Sequence, residues 1–180
     1  MRDDIMEILL DESTIKSIVE KLGSQISEDY KGKNLLLVSV LKGSVVFMAD
    51  LMRAITIPCQ IDFMAVSSYG SGTKSSGVVK IIKDLDTNLE GYDLLIVEDI
   101  LDSGRTLHYI CDMLKTRNPN SIRICTLFDK PARRQVNLTA DYSGAEVPDS
   151  FIVGYGLDYD EKYRNLPYVG VLKPHIYGGE

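Results

Sequence analysis

The sequence has no tryptophan, three cysteines and two histidines. Cys59, Cys111 and Cys125 are odd in number and far apart, and they lack the paired spacing of a disulfide framework or a zinc site. We therefore expect three reduced thiols. His108 and His175 are too few for a histidine metal site, and they leave little room for a serine–histidine catalytic relay.

Long hydrophobic runs and an excess of positive charge are also missing. No apolar segment approaches the roughly 20 residues that span a bilayer, and the acidic start of the chain does not resemble a secretory signal peptide. The formal net charge is −6, so no general attraction draws the chain to nucleic acid or to an anionic membrane. These absences predict a cytoplasmic protein with no nucleic-acid partner and no membrane partner, which binds any anion in a local pocket.

The composition is that of an ordinary globular protein, with 44 % hydrophobic and 26 % charged residues. A length of 180 residues suits one hydrophobic core, so we expect a single domain over residues 1–180.

Short apolar runs alternate with helical repeats through the middle of the chain. The patterns predict strands at 35–41, 61–66, 78–82, 94–97 and 122–128, and helices at 15–26, 44–53 and 106–115. This alternation predicts an α/β fold, with a central, mainly parallel sheet flanked by helices and a ligand site beyond the carboxyl ends of the strands. Residues 67–77, rich in Gly and Ser, predict a mobile loop, and short strands at 151–153 and 169–172 predict a smaller lobe.

The strongest motif follows the predicted strand at 94–97. Glu98 and Asp99 stand at the strand end, and the turn Asp102-Ser103-Gly104-Arg105-Thr106 opens the next helix. Gly104 lets the backbone approach a ligand, and free N–H groups and hydroxyls at a helix start can donate to a phosphate. Paired carboxylates can accept bonds from two sugar hydroxyls or hold Mg²⁺ through water. The pattern predicts a sugar-phosphate site, and the plainer alternative is a solvated acidic loop with a helix cap.

Residues 97–106 resemble the motif by which type I phosphoribosyltransferases bind phosphoribosyl pyrophosphate (PRPP). The resemblance implies the fold of that family, with a small hood lobe formed by the N-terminal segment and the C-terminal third. It implies that residues 102–106 bind the 5′-phosphate, while Glu98 and Asp99 bind the ribose hydroxyls and a metal. Ser103 and Arg105 stand where relatives often carry Thr and Lys, and both changes keep the chemical group.

Two further segments resemble parts of the same family. Leu41-Lys42-Gly43 resembles the pyrophosphate loop, in which the Leu–Lys peptide is often cis. Ser68-Tyr69-Gly70 resembles the flexible lid that closes over the reacting ribose and excludes water. The plainer accounts are a strand-end turn and a hairpin loop.

The last third resembles the hypoxanthine-guanine phosphoribosyltransferases, at residues 129–131 and 147–166. The resemblance implies that Lys130 donates to the exocyclic oxygen of a 6-oxopurine, Phe151 stacks on the base and Ile152 meets its edge. Asp158 would bind a second Mg²⁺ and Arg164 the pyrophosphate. Taken singly, Phe151 could be a core residue, Lys130 a solvated one, Asp158 a turn residue and Arg164 a surface charge.

The implied reaction moves the phosphoribosyl group from PRPP to hypoxanthine or guanine, with xanthine left open, and yields a nucleoside monophosphate. Mg²⁺ is the implied cofactor, and Asp102 is the implied general base near N7 of the purine. Two alternatives remain: a PRPP-sensing regulator on the same fold, and a transferase for another base such as orotate. The exposed edges expected of a small α/β domain suggest a homodimer or a homotetramer.

Overall fold

The computed structural model describes residues 1–68 and 79–178. The predicted lid residues Tyr69 and Gly70, and Val78 at the predicted start of a strand, lie outside the described residues, and Ser68 is described by its backbone alone. Within the described part, no helix combines the length and the apolar character that a membrane span requires. Cys59, Cys111 and Cys125 are free thiols, as expected.

Strands and helices follow one another in the order that the sequence predicts, with two strands added. The described elements are β1 (Ile5–Leu10), α1 (Glu12–Asp29), β2 (Leu35–Leu41), α2 (Val45–Ala54), β3 (Cys59–Ser68), β4 (Val79–Lys83), β5 (Asp93–Leu101), α3 (Arg105–Lys115), β6 (Ser121–Asp129), β7 (Tyr142–Glu146), β8 (Ile152–Val153) and β9 (Val169–Leu172). Short 3₁₀ turns lie at Arg2–Asp4, Pro131–Arg133 and Pro174–Ile176.

A six-stranded sheet in the order β4-β3-β2-β5-β6-β7 forms the centre of the fold. The pairs from β3 to β7 are parallel, and only the edge strand β4 runs antiparallel to its neighbour. The predicted α/β fold with a mainly parallel sheet is therefore confirmed. Parallel strands carry their ligand site beyond their carboxyl ends, which here are the ends of β2, β5 and β6.

The apolar runs of β2 and β5 are buried because helices cover both faces of the sheet. Successive side chains of a strand point to opposite faces. Leu35 and Leu37 accordingly pack in the core beneath α1 and α2, whereas Leu36 and Val38 pack in the core beneath α3. This alternation holds the ends of β2 and β5 side by side in a rigid layer.

Residues just before two of the helices fix where those helices begin. The carboxylate of Asp11 accepts a bond from the Thr14 N–H at 2.7 Å, so Asp11 caps α1, and Ser13 donates its hydroxyl to the same carboxylate. Helix α3 starts at Arg105, one residue before the predicted start, because Gly104 takes the capping position with a φ of 78°.

A second, antiparallel sheet in the order β1-β9-β8 joins the start of the chain to its last third. The predicted strand at 151–153 is shorter than expected, because Phe151 precedes β8 and stays out of the ladder. β1 was not predicted, and neither was β7, whose Ser-Gly-Ala centre has little strand preference. We interpret this small sheet as part of the hood, and the single-domain assignment stays a prediction.

Candidate active site

A cavity of about 750 Å³ opens at the carboxyl ends of the parallel strands. Its walls come from the end of β2 and the loop after it (40–43), from the end of β5 and the start of α3 (98–104, Thr106 and Leu107), from the segment after β6 (Lys130 and Arg133), and from the last third (149–152, 157, 158, 164 and 177). The fold therefore brings together nearly all the described residues that the sequence singles out. Arg105 is the exception, because this first residue of α3 is exposed and lies outside the cavity lining.

The turn at 102–104 joins β5 to α3 and forms the floor of the cavity. Gly104 is buried with a positive φ, and a side chain there would press on Val136 and Arg134. The hydroxyl of Ser103 accepts a weak bond from the Arg105 N–H at 3.4 Å. A turn of this shape at the start of a helix presents amide groups to an anion.

The carboxylates of Glu98 and Asp99 are half-buried where β5 enters the cavity. Burial raises the pKa of Glu98 well above its usual range, and the neighbouring charge of Asp99 raises it further. Burial also raises the pKa of Asp99 to about 6, although the Ile100 N–H donates to this carboxylate at 2.8 Å. Acids buried side by side are a costly arrangement that a bound cation or hydroxyl donors would relieve.

The loop after β2 lies against these acids. Its Leu41–Lys42 peptide is cis, as the resemblance implies. A side chain at Gly43 would overlap the carboxylate of Asp99, and one at Gly156 would overlap the carbonyl of Gly43. The loop therefore fits closely between β5 and the last third of the chain.

Charged side chains from the last third face the same loop. Arg164 donates to the Gly156 carbonyl at 2.8 Å, and its guanidinium lies 3.0 Å from Asp158. Glu161 pairs with Lys42 at 3.2 Å and with Arg164 at 3.4 Å. Arg164 is largely buried, which disagrees with its plainer account as a surface charge, whereas Asp158 does serve a turn by accepting the Glu161 N–H.

Lys130 and Phe151 also line the cavity, and their exposure is the reverse of the plainer accounts, which made Lys130 a solvated residue and Phe151 a core residue. Lys130 is only 5 % exposed and donates to the Ser150 carbonyl at 2.9 Å. Phe151 is 38 % exposed, with Tyr177 stacked on its ring and Tyr159 in an edge contact. A buried ammonium and an exposed ring in one cavity can grip an aromatic heterocycle.

Sequence reasoning missed several residues of this wall. The guanidinium of Arg133 lies 3.7 Å from Asp102 and 3.5 Å from Asp149, which is itself 3.5 Å from Lys130. The Arg133-Arg134 pair after Lys130 is a cluster of cations that could have drawn attention. Tyr177 gives no such signal, because it lies far along the chain, directly after the 3₁₀ turn at Pro174–Ile176.

Side chains alone do not form a complete metal site in the described part of the chain. Among the described residues, no three or more histidine, cysteine or acidic side chains come close enough to hold a metal ion by themselves. Glu98, Asp99 and Asp158 are oxygen donors on one cavity, and Mg²⁺ commonly combines one or two carboxylates with water and phosphate oxygens.

Known proteins resemble this chain in sequence and in structure. Residues 6–160 match the family model described as a phosphoribosyl transferase domain. The chain is 58 % identical over 177 residues to the hypoxanthine-guanine phosphoribosyltransferase of Streptococcus thermophilus, covering 98 % of each chain. The crystal structure of a hypoxanthine phosphoribosyltransferase from Staphylococcus aureus superimposes with a TM-score of 0.96 at 52 % identity, over 98 % of this chain and 96 % of that one.

A more distant structure gives the same fold. A Trypanosoma cruzi hypoxanthine phosphoribosyl transferase matches with a TM-score of 0.93 at 42 % identity, over 98 % of this chain and 95 % of that one. The agreement in sequence, in fold and in the cavity at the strand ends leads to one conclusion. This chain belongs to the phosphoribosyltransferase family and, within it, to the hypoxanthine-guanine phosphoribosyltransferases, the transferases of purine salvage.

Proposed function

We propose that the cavity transfers the phosphoribosyl group of PRPP to hypoxanthine or guanine and releases pyrophosphate and a nucleoside monophosphate. The observation that carries this proposal is the arrangement of three kinds of group around one cavity: an amide-rich turn, a buried acid pair, and a buried lysine beside an exposed ring. These three kinds of group match the phosphate, the sugar and the base of a nucleotide.

The turn at residues 102–106 would bind the 5′-phosphate. The backbone N–H groups at the start of α3 and the hydroxyls of Ser103 and Thr106 are donors, and the positive end of the helix dipole favours an anion. A role of Arg105 in phosphate binding stays a prediction from the resemblance, since this residue is not part of the cavity lining.

Glu98 and Asp99 would accept bonds from the ribose hydroxyls. As anions they would also favour the positive charge that the sugar gains when pyrophosphate leaves. The acid pair and Asp158 fit as oxygen ligands for Mg²⁺, which when bound would neutralise part of the pyrophosphate charge. The loop at Leu41, Lys42 and Gly43, together with Arg164, would hold the departing pyrophosphate.

Lys130 would select the base. One of its three donors goes to the Ser150 carbonyl, which leaves others for the exocyclic oxygen of a 6-oxopurine. The amino group of adenine offers no acceptor there, so adenine would leave an N–H of the buried ammonium without an acceptor. The exposed surface of Phe151 would stack on the ring, and the Ile152 backbone would meet its edge.

Asp102 would be the general base that takes the proton from the purine. Its Oδ1 atom is buried and has no hydrogen-bond partner among the described residues, so it is free to accept from N7. The guanidinium of Arg133 lies 3.7 Å from this carboxylate.

Two features stay predictions, the lid from the resemblance and the assembly from the exposed edges expected of a small α/β domain. Ser68, Tyr69 and Gly70 would form the lid, and the protein would assemble as a homodimer or a homotetramer. Sedimentation of this chain would measure its oligomeric state directly.

Turnover of PRPP with guanine, hypoxanthine, xanthine and adenine tests the proposal. We expect pyrophosphate release with guanine or hypoxanthine and very little with adenine, and a Lys130→Gln variant should lower the guanine-to-adenine ratio. Turnover with xanthine shows how this base compares with guanine and hypoxanthine as a substrate. A protein that releases pyrophosphate with none of the 6-oxopurines would overturn the proposal, and an unchanged ratio in the variant would remove Lys130 from base selection.

A further inference from the structure

Arg134 lies behind the phosphate turn and is mostly buried, with 14 % of its side chain exposed. Its Nε donates to the Asp102 carbonyl at 3.0 Å, and one terminal nitrogen donates to the Leu101 carbonyl at 3.2 Å. The same guanidinium also donates to the Leu138 carbonyl and pairs with the carboxylate of Asp129. A single planar fork thus holds two consecutive carbonyls of the turn.

The backbone around Arg134 continues this pattern. The Lys130 N–H donates to the Leu101 carbonyl at 3.0 Å, and the Gln135 N–H donates to the Ser103 carbonyl at 3.0 Å. The carbonyls of Leu101, Asp102 and Ser103 therefore all accept bonds from the segment at 130–135. This segment forms one continuous backing for the turn.

The direction of the carbonyls fixes the direction of the amides. In a planar trans peptide the C=O of one residue and the N–H of the next point in opposite directions. The N–H groups of Asp102, Ser103 and Gly104 must therefore point away from residues 130–135. Among the described residues none of these N–H groups has an acceptor, and all three residues line the cavity.

We infer that Arg134 is a positioning residue, which aims the amides of the phosphate turn into the cavity by holding the carbonyls behind them. The inference rests on the proposed function of that turn. Asp129 offsets the charge of Arg134, so the guanidinium acts through the geometry of its fork and not through its charge. Its Cδ atom also lies under Gly104, where it would be 3.1 Å from a side chain at that position.

The test separates phosphate binding from the rest of nucleotide binding. The dissociation constants of GMP and guanosine are measured by calorimetry. The ratio of the guanosine constant to the GMP constant reports how much the 5′-phosphate strengthens binding. We expect Arg134→Gln to shrink this ratio by about tenfold or more, the effect of one badly aimed bond to a charged group, and to leave guanosine binding unchanged.

Two further variants make the result specific. Arg134→Lys keeps the charge opposite Asp129 but cannot reach both carbonyls, so it should shrink the ratio as well, and it supplies the test if the glutamine variant does not fold. Arg117→Gln removes a comparable fork, which grips Asp84 at 2.8 and 2.7 Å on the surface. This control should keep the ratio even if it lowers the melting temperature.

The contrary outcomes are distinct. An unchanged ratio in both Arg134 variants, with only the melting temperature reduced, gives Arg134 a purely structural role and overturns the inference. Full rescue by Arg134→Lys assigns the effect to charge and overturns it too. If the unaltered protein binds guanosine as tightly as GMP, the turn is not a phosphate site, and it is the proposed function that fails.

Discussion

The ring of Phe151 stacks on the ring of Tyr177, with centroids 4.7 Å apart and planes inclined by 20°. Phe151 nevertheless keeps 38 % of its surface exposed, which leaves room for a base on the part of the ring that faces the cavity. Tyr177 therefore braces the ring on which we expect the purine to stack. If Phe151 binds the base as proposed, this contact links base binding to the residue that follows the 3₁₀ turn at Pro174–Ile176.

Removing the brace should weaken base binding selectively. We expect Tyr177→Ala to raise the KM for guanine by about two- to tenfold, the worth of one aromatic pair, with little change in the KM for PRPP. Tyr177→Phe keeps the stack and serves as the control in the same steady-state assay. A lower KM for guanine in the alanine variant would show instead that Tyr177 competes with the base.

Asp102 is the expected general base. Asp102→Asn should reduce kcat by about 10²–10⁴-fold, the usual contribution of a positioned base, while PRPP binding measured by calorimetry persists. Asp112→Asn is the matched control, because Asp112 is an exposed residue of α3 that pairs with Lys115. Unchanged turnover in the Asp102 variant would assign proton removal to another group.

Glu161 occupies the cations that we expect to bind pyrophosphate. Its carboxylate contacts both Lys42 and Arg164, and the bond from Lys42 lowers its pKa, so it is ionised at neutral pH. Glu161→Gln should tighten pyrophosphate inhibition by about two- to fivefold at low salt, since exposed ion pairs are weak, and the gain should fade at high salt.

Asp160→Asn is the control for this experiment, because Asp160 lies on the same loop and pairs with Lys162. An equal gain in both variants would indicate a general effect of net charge and would remove the specific role of Glu161.

The buried carboxylate of Asp62 should make stability depend on pH. Burial acts to raise its pKa, but N–H donors from Phe63, Asp86 and Thr87, at 2.7 to 3.0 Å, outweigh burial and hold the pKa below its usual range. A lowered folded-state pKa adds stability above the unfolded value of about 3.9, and this stability is lost as the pH falls through the folded value.

We therefore expect Asp62→Asn to lower the free energy of unfolding at pH 7 by about 1.5–3 kcal/mol, and the difference from the unaltered protein to shrink below about pH 4. Urea unfolding of the variant and of the unaltered protein at pH 7 and at about pH 3 measures this difference. Asp86→Asn, which changes an exposed side chain, should have a small effect. A loss for Asp62→Asn that is the same at pH 3 and pH 7 would contradict the role of its charge.

Patterns local in sequence were the ones that could be predicted. The apolar runs of β2, β5 and β6 announce strands buried on both faces, and the run from Glu98 to Thr106 keeps acids, turn and helix start together in one short segment. The expected α/β fold and the family are confirmed. The meeting of the segments after β2, β5 and β6 at one cavity could also be predicted, since parallel strands end at one edge of the sheet.

Features that depend on distant partners could not be read in this way. β1 leaves Met6 and Ile8 56 % exposed, so its pattern is not that of a half-buried strand, and it is a strand because β9 pairs with it. The contacts of Tyr177 with Phe151 and of Arg134 with the Asp102 carbonyl join residues that no spacing rule connects. Their effect lies in tertiary geometry.

The pairing of β1 with β9 also constrains the order in which the molecule can form. β1 is synthesised well before β9, so this strand must wait for a distant partner, whereas β2, β3 and β5 lie closer in the chain and can pair earlier. Contacts between distant segments form late because closing a long loop costs entropy. We therefore expect the central sheet and the proposed phosphate turn to form before β1 pairs with β9, so that the small sheet whose β8 edge carries Ile152, the proposed contact for the base, is completed last.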